Sequence, residues 1–232
     1  MLLIYSQITD TLKVMKGAIH MEDKKKLYYT DLFWLFLFGS IMGVIIEGVF
    51  TYFMTGHWES HVVSVWGWFN ILYGAGAAGF YAGAVKLQDK PMRTRVFVMA
   101  IIATSLELLC GLILKFILGM KAWDYSHNFL NIGGIVCLKF SLIWALFAFL
   151  VCLSMPKLTV LLAKLRSKKY SIASAILSVI LAINFTMTAF ALIRWSDRHY
   201  GEPARTQIEQ QIDSFANDEW MQNRFVEWKF LQ

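Results

Sequence analysis

The stretch TDLFWLFLFGSIMGVIIEGVFTYFMT, from Thr30 to Thr55, carries only two charged residues, Asp31 and Glu47. A hydrocarbon core of about 30 Å is crossed by about 20 consecutive apolar residues in a helix. Hydrocarbon offers no water to unpaired peptide groups, so a run of this length satisfies its backbone only as an α-helix. Four further runs have the same character: Val65–Val85, Val96–Leu118, Ile132–Met155 and Tyr170–Ile193. None shows the alternating ten-residue segments of a membrane barrel. The expected fold is therefore all-α, a polytopic membrane helix bundle of about five transmembrane helices over residues 30–194. A short amphipathic C-terminal tail, residues 195–232, follows it. In that tail Ile208, Ile212, Phe215, Trp220, Phe225 and Trp228 suggest one or two short helices lying on the membrane surface or packed on the loops.

Composition agrees. The 232 residues are 57% hydrophobic and 16% charged, against about 45–50% and about 25% in soluble domains, which excludes a pair of soluble domains. Aromatic content of 16% excludes disorder. The three cysteines, Cys110, Cys137 and Cys152, all fall inside apolar runs and build no disulfide framework. The formal charge of +6 does not indicate nucleic acid, because the Lys and Arg residues flank the apolar runs. Five lie in the N-terminal arm, four between runs two and three, and five between runs four and five. The connection from Gly56 to Ser64 has none, and that from Lys115 to Asn131 has Lys115 and Lys121. This asymmetry predicts a cytoplasmic N-terminus and external sparse connections in a multi-pass bacterial plasma or inner membrane protein. By the same count the tail falls outside. Residues 1–29 form a cytoplasmic arm; Met21-Glu-Asp-Lys-Lys-Lys reads as a natural start, with residues 1–20 as an extension, and no h-region of a cleaved signal peptide is present.

Glu47 and Glu107 fall within apolar runs, where an ionised carboxylate is costly and marks a polar site or a buried hydrogen bond. Lys139 is the candidate counter-charge. On a helix His57 and His61 would share a face as metal ligands can, but the pattern lacks His-Glu-x-x-His and a third ligand, so no metal is expected. Trp123-Asp124-Tyr125-Ser126, with Asn131 after it, lies beside a span mouth where it could line an entry. Gly74-Ala-Gly76-Ala-Ala-Gly79 matches a dinucleotide fingerprint in letters alone, since it lies in an apolar helix. With Gly39 and Gly43 it suits close helix packing, within the chain or between copies. No P-loop is present, no cofactor is indicated, and ATP hydrolysis would belong to a separate subunit. Runs one and three each carry a Glu and are followed about twenty residues on by an Asn/Gly re-entry, as in a parallel duplication about the membrane normal.

Trp123-Asp-Tyr-Ser, Asn131-Ile-Gly-Gly-Ile-Val-Cys-Leu and Ser141-Leu-Ile-Trp144 together resemble the CmpB-type ABC-transporter permease family of bacterial membrane proteins. Gly39…Gly43…Glu47, Gly67…Tyr73-Gly74-x-Gly76 and the tail Gly201-Glu-Pro…Ile208…Asp213…Met221 extend the likeness over nearly all of the chain after residue 30. It implies a transport role, with Glu47, Glu107, Asp124 and Asn131 at motif positions. The chain departs from that pattern at Ile135 and Lys139, where Arg and Glu are usual, and at Trp68 and Ile71, where prolines are. The resulting reading is a small transporter or permease-like subunit with a polar intramembrane site built on Glu47 and Glu107. The rival readings are an intramembrane enzyme for a lipid-linked substrate and a non-catalytic partner subunit of a membrane complex.

Overall fold

A computed structural model describes residues 26–231; the arm before them, with its proposed start at Met21, lies outside the described residues. Five helices build the bundle: α1 (Tyr29–Thr55), α2 (Ile71–Lys86), α3 (Met92–Ile117), α4 (Leu138–Ala163) and α5 (Lys168–His199). The tail adds α6 (Gln207–Phe215) and α7 (Asp218–Arg224), and two short strands, β1 (Met120–Lys121) and β2 (Lys229–Phe230), pair antiparallel. The all-α expectation holds. Helices α1, α3, α4 with the turn after it, and α5 are each long and apolar enough to cross a membrane.

The second run differs from its expected form. Its helix starts at Ile71 rather than Val65 and has 16 residues, about 24 Å, less than the hydrocarbon thickness. Asn70 caps it by accepting from the Leu72 N–H, and the Asn70 N–H donates to the Ser40 carbonyl at 3.1 Å. The helix therefore begins beside the middle of α1. The remainder of that run, residues 65–70, is irregular chain, which bilayer physics would allow at membrane depth only where protein satisfies the backbone. Val65 N–H donates to Thr188 Oγ1 at 2.9 Å, and the Asn184 amide both accepts from Trp66 N–H (3.2 Å) and donates to its carbonyl (2.8 Å). Arg224 donates to the carbonyls of Ser64 and Gly67. The fourth run behaves alike: helix α4 begins at Leu138, not Ile132, and Ser141 in its first turns meets Thr104 of α3 at 3.1 Å.

Glycine sets the spacing of α1 and α2. A Cβ at Gly39 would lie 2.6 Å from the Ala77 Cβ, and one at Gly74 would strike Ser40 and the Phe36 carbonyl. The backbones approach closely only because these positions have no side chain.

The two ends of the bundle are unlike. At the basic end, the turn Lys164–Arg166 presents Arg166 to the fully buried Asp31, with Nε to Oδ1 at 2.9 Å and Nη2 to Oδ2 at 2.6 Å. This bidentate pair ties the start of α1 to the α4–α5 junction, and the guanidinium also lies 3.9 Å from the Tyr28 ring centre. At the loop end the tail folds back on the bundle. Met221, Phe225 and Trp228 pack with Leu192 and Trp195 of α5 and with Leu118 and Met120 of the α3–α4 connection. Each such buried side chain contributes about 1.5–3 kcal/mol over its exposed state. Of the two arrangements open to the tail, the one found is packing on the loops. Thr206 and Glu209 form a capping box at α6. Asp213 pairs with Arg194 at 2.8 Å and with Arg198, and the Arg194 hydrogen bond holds its carboxyl below the usual range.

Candidate functional site

Glu107 is 3% exposed, on the face of α3 turned into the bundle. Its two oxygens take separate donors: the indole Nε1 of Trp144 on α4 at 2.8 Å, and the Tyr125 hydroxyl at 3.3 Å. Tyr125 reaches it from the α3–α4 connection. The Trp123-Asp-Tyr-Ser stretch thus acquires a structural account. Asp124 accepts from Lys121 Nζ (2.6 Å) and from the Ser126 N–H (2.9 Å), two contacts that hold its carboxyl well below the usual carboxylate range. Asn131 donates to the Ser126 and Asn128 carbonyls, both at 3.0 Å, and accepts from Gly134 N–H at 3.1 Å. Trp123 Nε1 donates to the Ile135 carbonyl at 2.7 Å. The loop so held turns Tyr125 inward, where its ring stacks on Phe140 at 4.2 Å. Gly133 and Gly134 both have φ in the left-handed region, which lets the chain reverse there.

Glu47 has the corresponding arrangement on α1. The Tyr73 side chain of α2 lies beside it, and His61 from the α1–α2 connection brings Nδ1 to 3.8 Å from Oε1. Gly43, one turn before Glu47, gives the Tyr73 ring its place against α1. Tyr73 and Trp144, the ring partners of the two carboxylates, lie 6.5 Å apart between centroids. The two rings thus meet where α2 packs on α4. His61 is 6% exposed, its Nε2 2.8 Å from the Thr51 hydroxyl and its Nδ1 2.7 Å from Glu227 of the tail. Burial opposes a charged ring, but Glu227, Glu47 and Glu59 outweigh it and raise the pKa of His61 above its ordinary value.

The other expected residues are placed elsewhere. Lys139 is exposed, its ammonium 5.5 Å from the Phe140 ring centre, and it is not the partner of Glu107. It stands in the first turn of α4, and the Tyr125 and Trp144 donors already take both oxygens of the carboxylate. His57 and His61 do not share a helical face, because Gly56 ends α1 in a left-handed conformation and residues 57–61 are not helical. Asp124, Trp123 and Asn131 lie at the loop end, around a cavity of about 320 Å³ whose lining includes Lys115, Lys121, Gly111 and Ile135.

The match to known proteins concerns this same core. A family model described as "Putative ABC-transporter type IV", of CmpB type, matches residues 34–189, from α1 well into α5. The chain belongs to this family. The CmpB-type match takes in Glu47, Tyr73, Glu107, Tyr125 and Trp144 and leaves α6 and α7 outside its bounds. No curated protein and no solved structure matches the chain. As a CmpB-type family member with four helices fit to span a bilayer, it is a membrane protein with a transporter-like family relationship.

Tyr73, Trp144, Thr51, Glu59 and Glu227 were not legible as site residues. An aromatic residue within an apolar run normally packs or faces lipid, so Tyr73 and Trp144 carry no local mark of their polar partners. Glu227 follows Val226 in a tail whose packing depends on residues far away in the chain.

Proposed function

We propose that the chain is a small integral membrane transporter or permease-like subunit with its polar intramembrane site on Glu47 and Glu107. The observation that carries this reading is the pairing of two carboxylates at bundle depth. Each is approached by a ring from its own re-entrant connection and another from the following helix. A carboxyl with a single structural duty needs no second, similarly built neighbour; two supply a pair of stations for a proton or cationic substrate. The cavity among Lys121, Trp123 and Asp124 supports an entry one turn beyond Glu107, ending at Gly111 and Ile135. Family membership and the lack of a P-loop support a separate ATPase subunit as the energy source. The open side of α2 at Gly79, where an added Cβ would meet nothing, suits a second membrane helix.

In this reading the basic end is cytoplasmic, and the loop end with its tail faces outward. Cysteines placed at Ser60 and Ser126 should react with an impermeant maleimide in intact cells; labelling only after rupture reverses the orientation. The site is tested by Glu107→Gln beside Glu107→Ala, with expression, monodispersity and a cellular phenotype measured together. The glutamine keeps hydrogen-bonding capacity without the ionisable group, so the expected outcome is a well-behaved protein without activity. Wild-type function from Glu107→Gln would leave Glu107 a packing residue.

A further inference from the structure

Glu59, His61 and Glu227 place one ligand atom each within 4.8 Å of one another. Glu59 and His61 belong to the α1–α2 connection and Glu227 to the far end of the tail, so folding alone brings them together. We infer that these three side chains form a divalent-cation site at the loop end of α1. It suits a borderline transition-metal ion such as Zn²⁺ or Fe²⁺. The inference stands on this geometry and does not depend on the transport reading.

The decisive group is His61. It is 6% exposed, and its Nδ1 has no well-aligned hydrogen bond although Glu227 Oε2 lies 2.7 Å away. A ring nitrogen held this deep normally has an aligned partner. Its other nitrogen is engaged by the Thr51 hydroxyl at 2.8 Å. That is the outer contact by which metal-bound imidazoles are commonly oriented, leaving the opposite nitrogen for the ion. Glu47 Oε1 is a further 3.8 Å from the same Nδ1, so three carboxylates surround a single imidazole and a cation would neutralise their excess negative charge. One imidazole with carboxylates is a donor set for Zn²⁺, Mn²⁺ or Fe²⁺; Cu(I) prefers sulfur, and Mg²⁺ and Ca²⁺ prefer oxygen alone. His57, the neighbour that spacing suggested, is exposed and takes no part. Since Glu227 comes from the tail, the ion would also fasten the tail to the bundle.

The test uses the full chain purified in detergent and stripped with a chelator, then titrated with ZnCl₂, CoCl₂ and MgCl₂. Expected are one Zn²⁺ per chain by calorimetry, a Co²⁺ visible absorption band that Zn²⁺ abolishes, and no competition from Mg²⁺ at equal concentration. His61→Gln and Glu227→Gln should each weaken Zn²⁺ binding by about tenfold or more, and Thr51→Val by about tenfold through the ring's orientation. His57→Ala should change nothing. Zn²⁺ should also slow proteolytic release of the tail in the parent chain and not in Glu227→Gln. Glu59→Gln lies on a partly exposed connection and keeps the test valid if a buried variant misfolds; it too should weaken binding. The site is overturned if the parent chain binds no stoichiometric ion, or if binding survives His61→Gln and Glu227→Gln or follows His57. Proteolysis unaffected by Zn²⁺ despite stoichiometric binding would place the ion elsewhere and overturn it equally.

Discussion

The α1–α2 and α3–α4 halves are built on one plan and held by different means. In each, a long helix carries a carboxylate, a re-entrant connection returns a ring to it, and a helix beginning at bundle depth supplies another ring. The α3–α4 connection is held over residues 123–135 by its own side chains, Asp124, Asn131 and Trp123, which bond to backbone two to twelve positions away, while its start at Gly119–Lys121 is bonded to the end of the tail. The α1–α2 connection is held from afar, by Asn184 and Thr188 of α5 and by Arg224 of the tail. The carboxylates differ accordingly. Glu107 is 3% exposed, while the Glu47 side chain keeps 32% of its surface. A shared plan thus sets a closed carboxylate, under a loop whose 123–135 stretch holds itself, beside a more open one whose loop is braced from α5 and the tail.

The sharpest way to break this contrast is to remove the matching asparagines. Asn184→Ala leaves the Trp66 N–H without a partner and its carbonyl with only the Ser64 hydroxyl, at about 1–3 kcal/mol for the unsatisfied group. Asn131→Ala opens carbonyls that water can reach, at about 1 kcal/mol. Thermal unfolding in detergent should therefore fall much further for Asn184→Ala, and hydrogen exchange should rise across residues 61–70. Equal losses would show that the two connections are equally self-reliant.

A smaller effect is expected at the carboxylates themselves. Glu107→Ala strips Trp144 Nε1 and the Tyr125 hydroxyl of their acceptor and should cost about 2 kcal/mol. Glu47→Ala should cost less, because its partners already meet water or other acids. A larger loss at Glu47 would reverse the assignment of the closed site.

Least of all, acid should loosen the tail. Asp213 has its folded pKa lowered, chiefly by Arg194. Its contribution is present above the ordinary aspartate range near pH 4 and is lost as pH falls through the depressed value. Protease sensitivity of the tail should rise in that window and already be raised at neutral pH in Asp213→Asn. A tail unaffected by Asp213→Asn would assign its docking to apolar contacts alone.

The crossing helices were readable because apolar length is a local property, and so were the two glutamates, whose burial cost is visible in the residues beside them. The non-helical start of the second run was not. Its residues Val65-Trp-Gly-Trp-Phe-Asn70 are as apolar as a helix, and the groups that excuse its irregular backbone lie more than a hundred positions later. Lys139 was expected to answer Glu107 because opposite charges attract. The neutral Tyr125 and Trp144 donors fill both carboxylate oxygens instead, a solution that no charge count reveals.

The distance in sequence between the first connection and its supports also has a meaning in time. Trp66 waits for Asn184, 118 residues on, and Ser64 for Arg224, 160 residues on. At about 5–20 residues per second, the ribosome leaves that loop unsupported for roughly 6–32 seconds after it is made. During that interval its peptide groups must stay with water, lipid headgroups or the insertion machinery. The first connection made is in this way completed only when the tail is, and a stop codon before Arg224 would leave it unfinished.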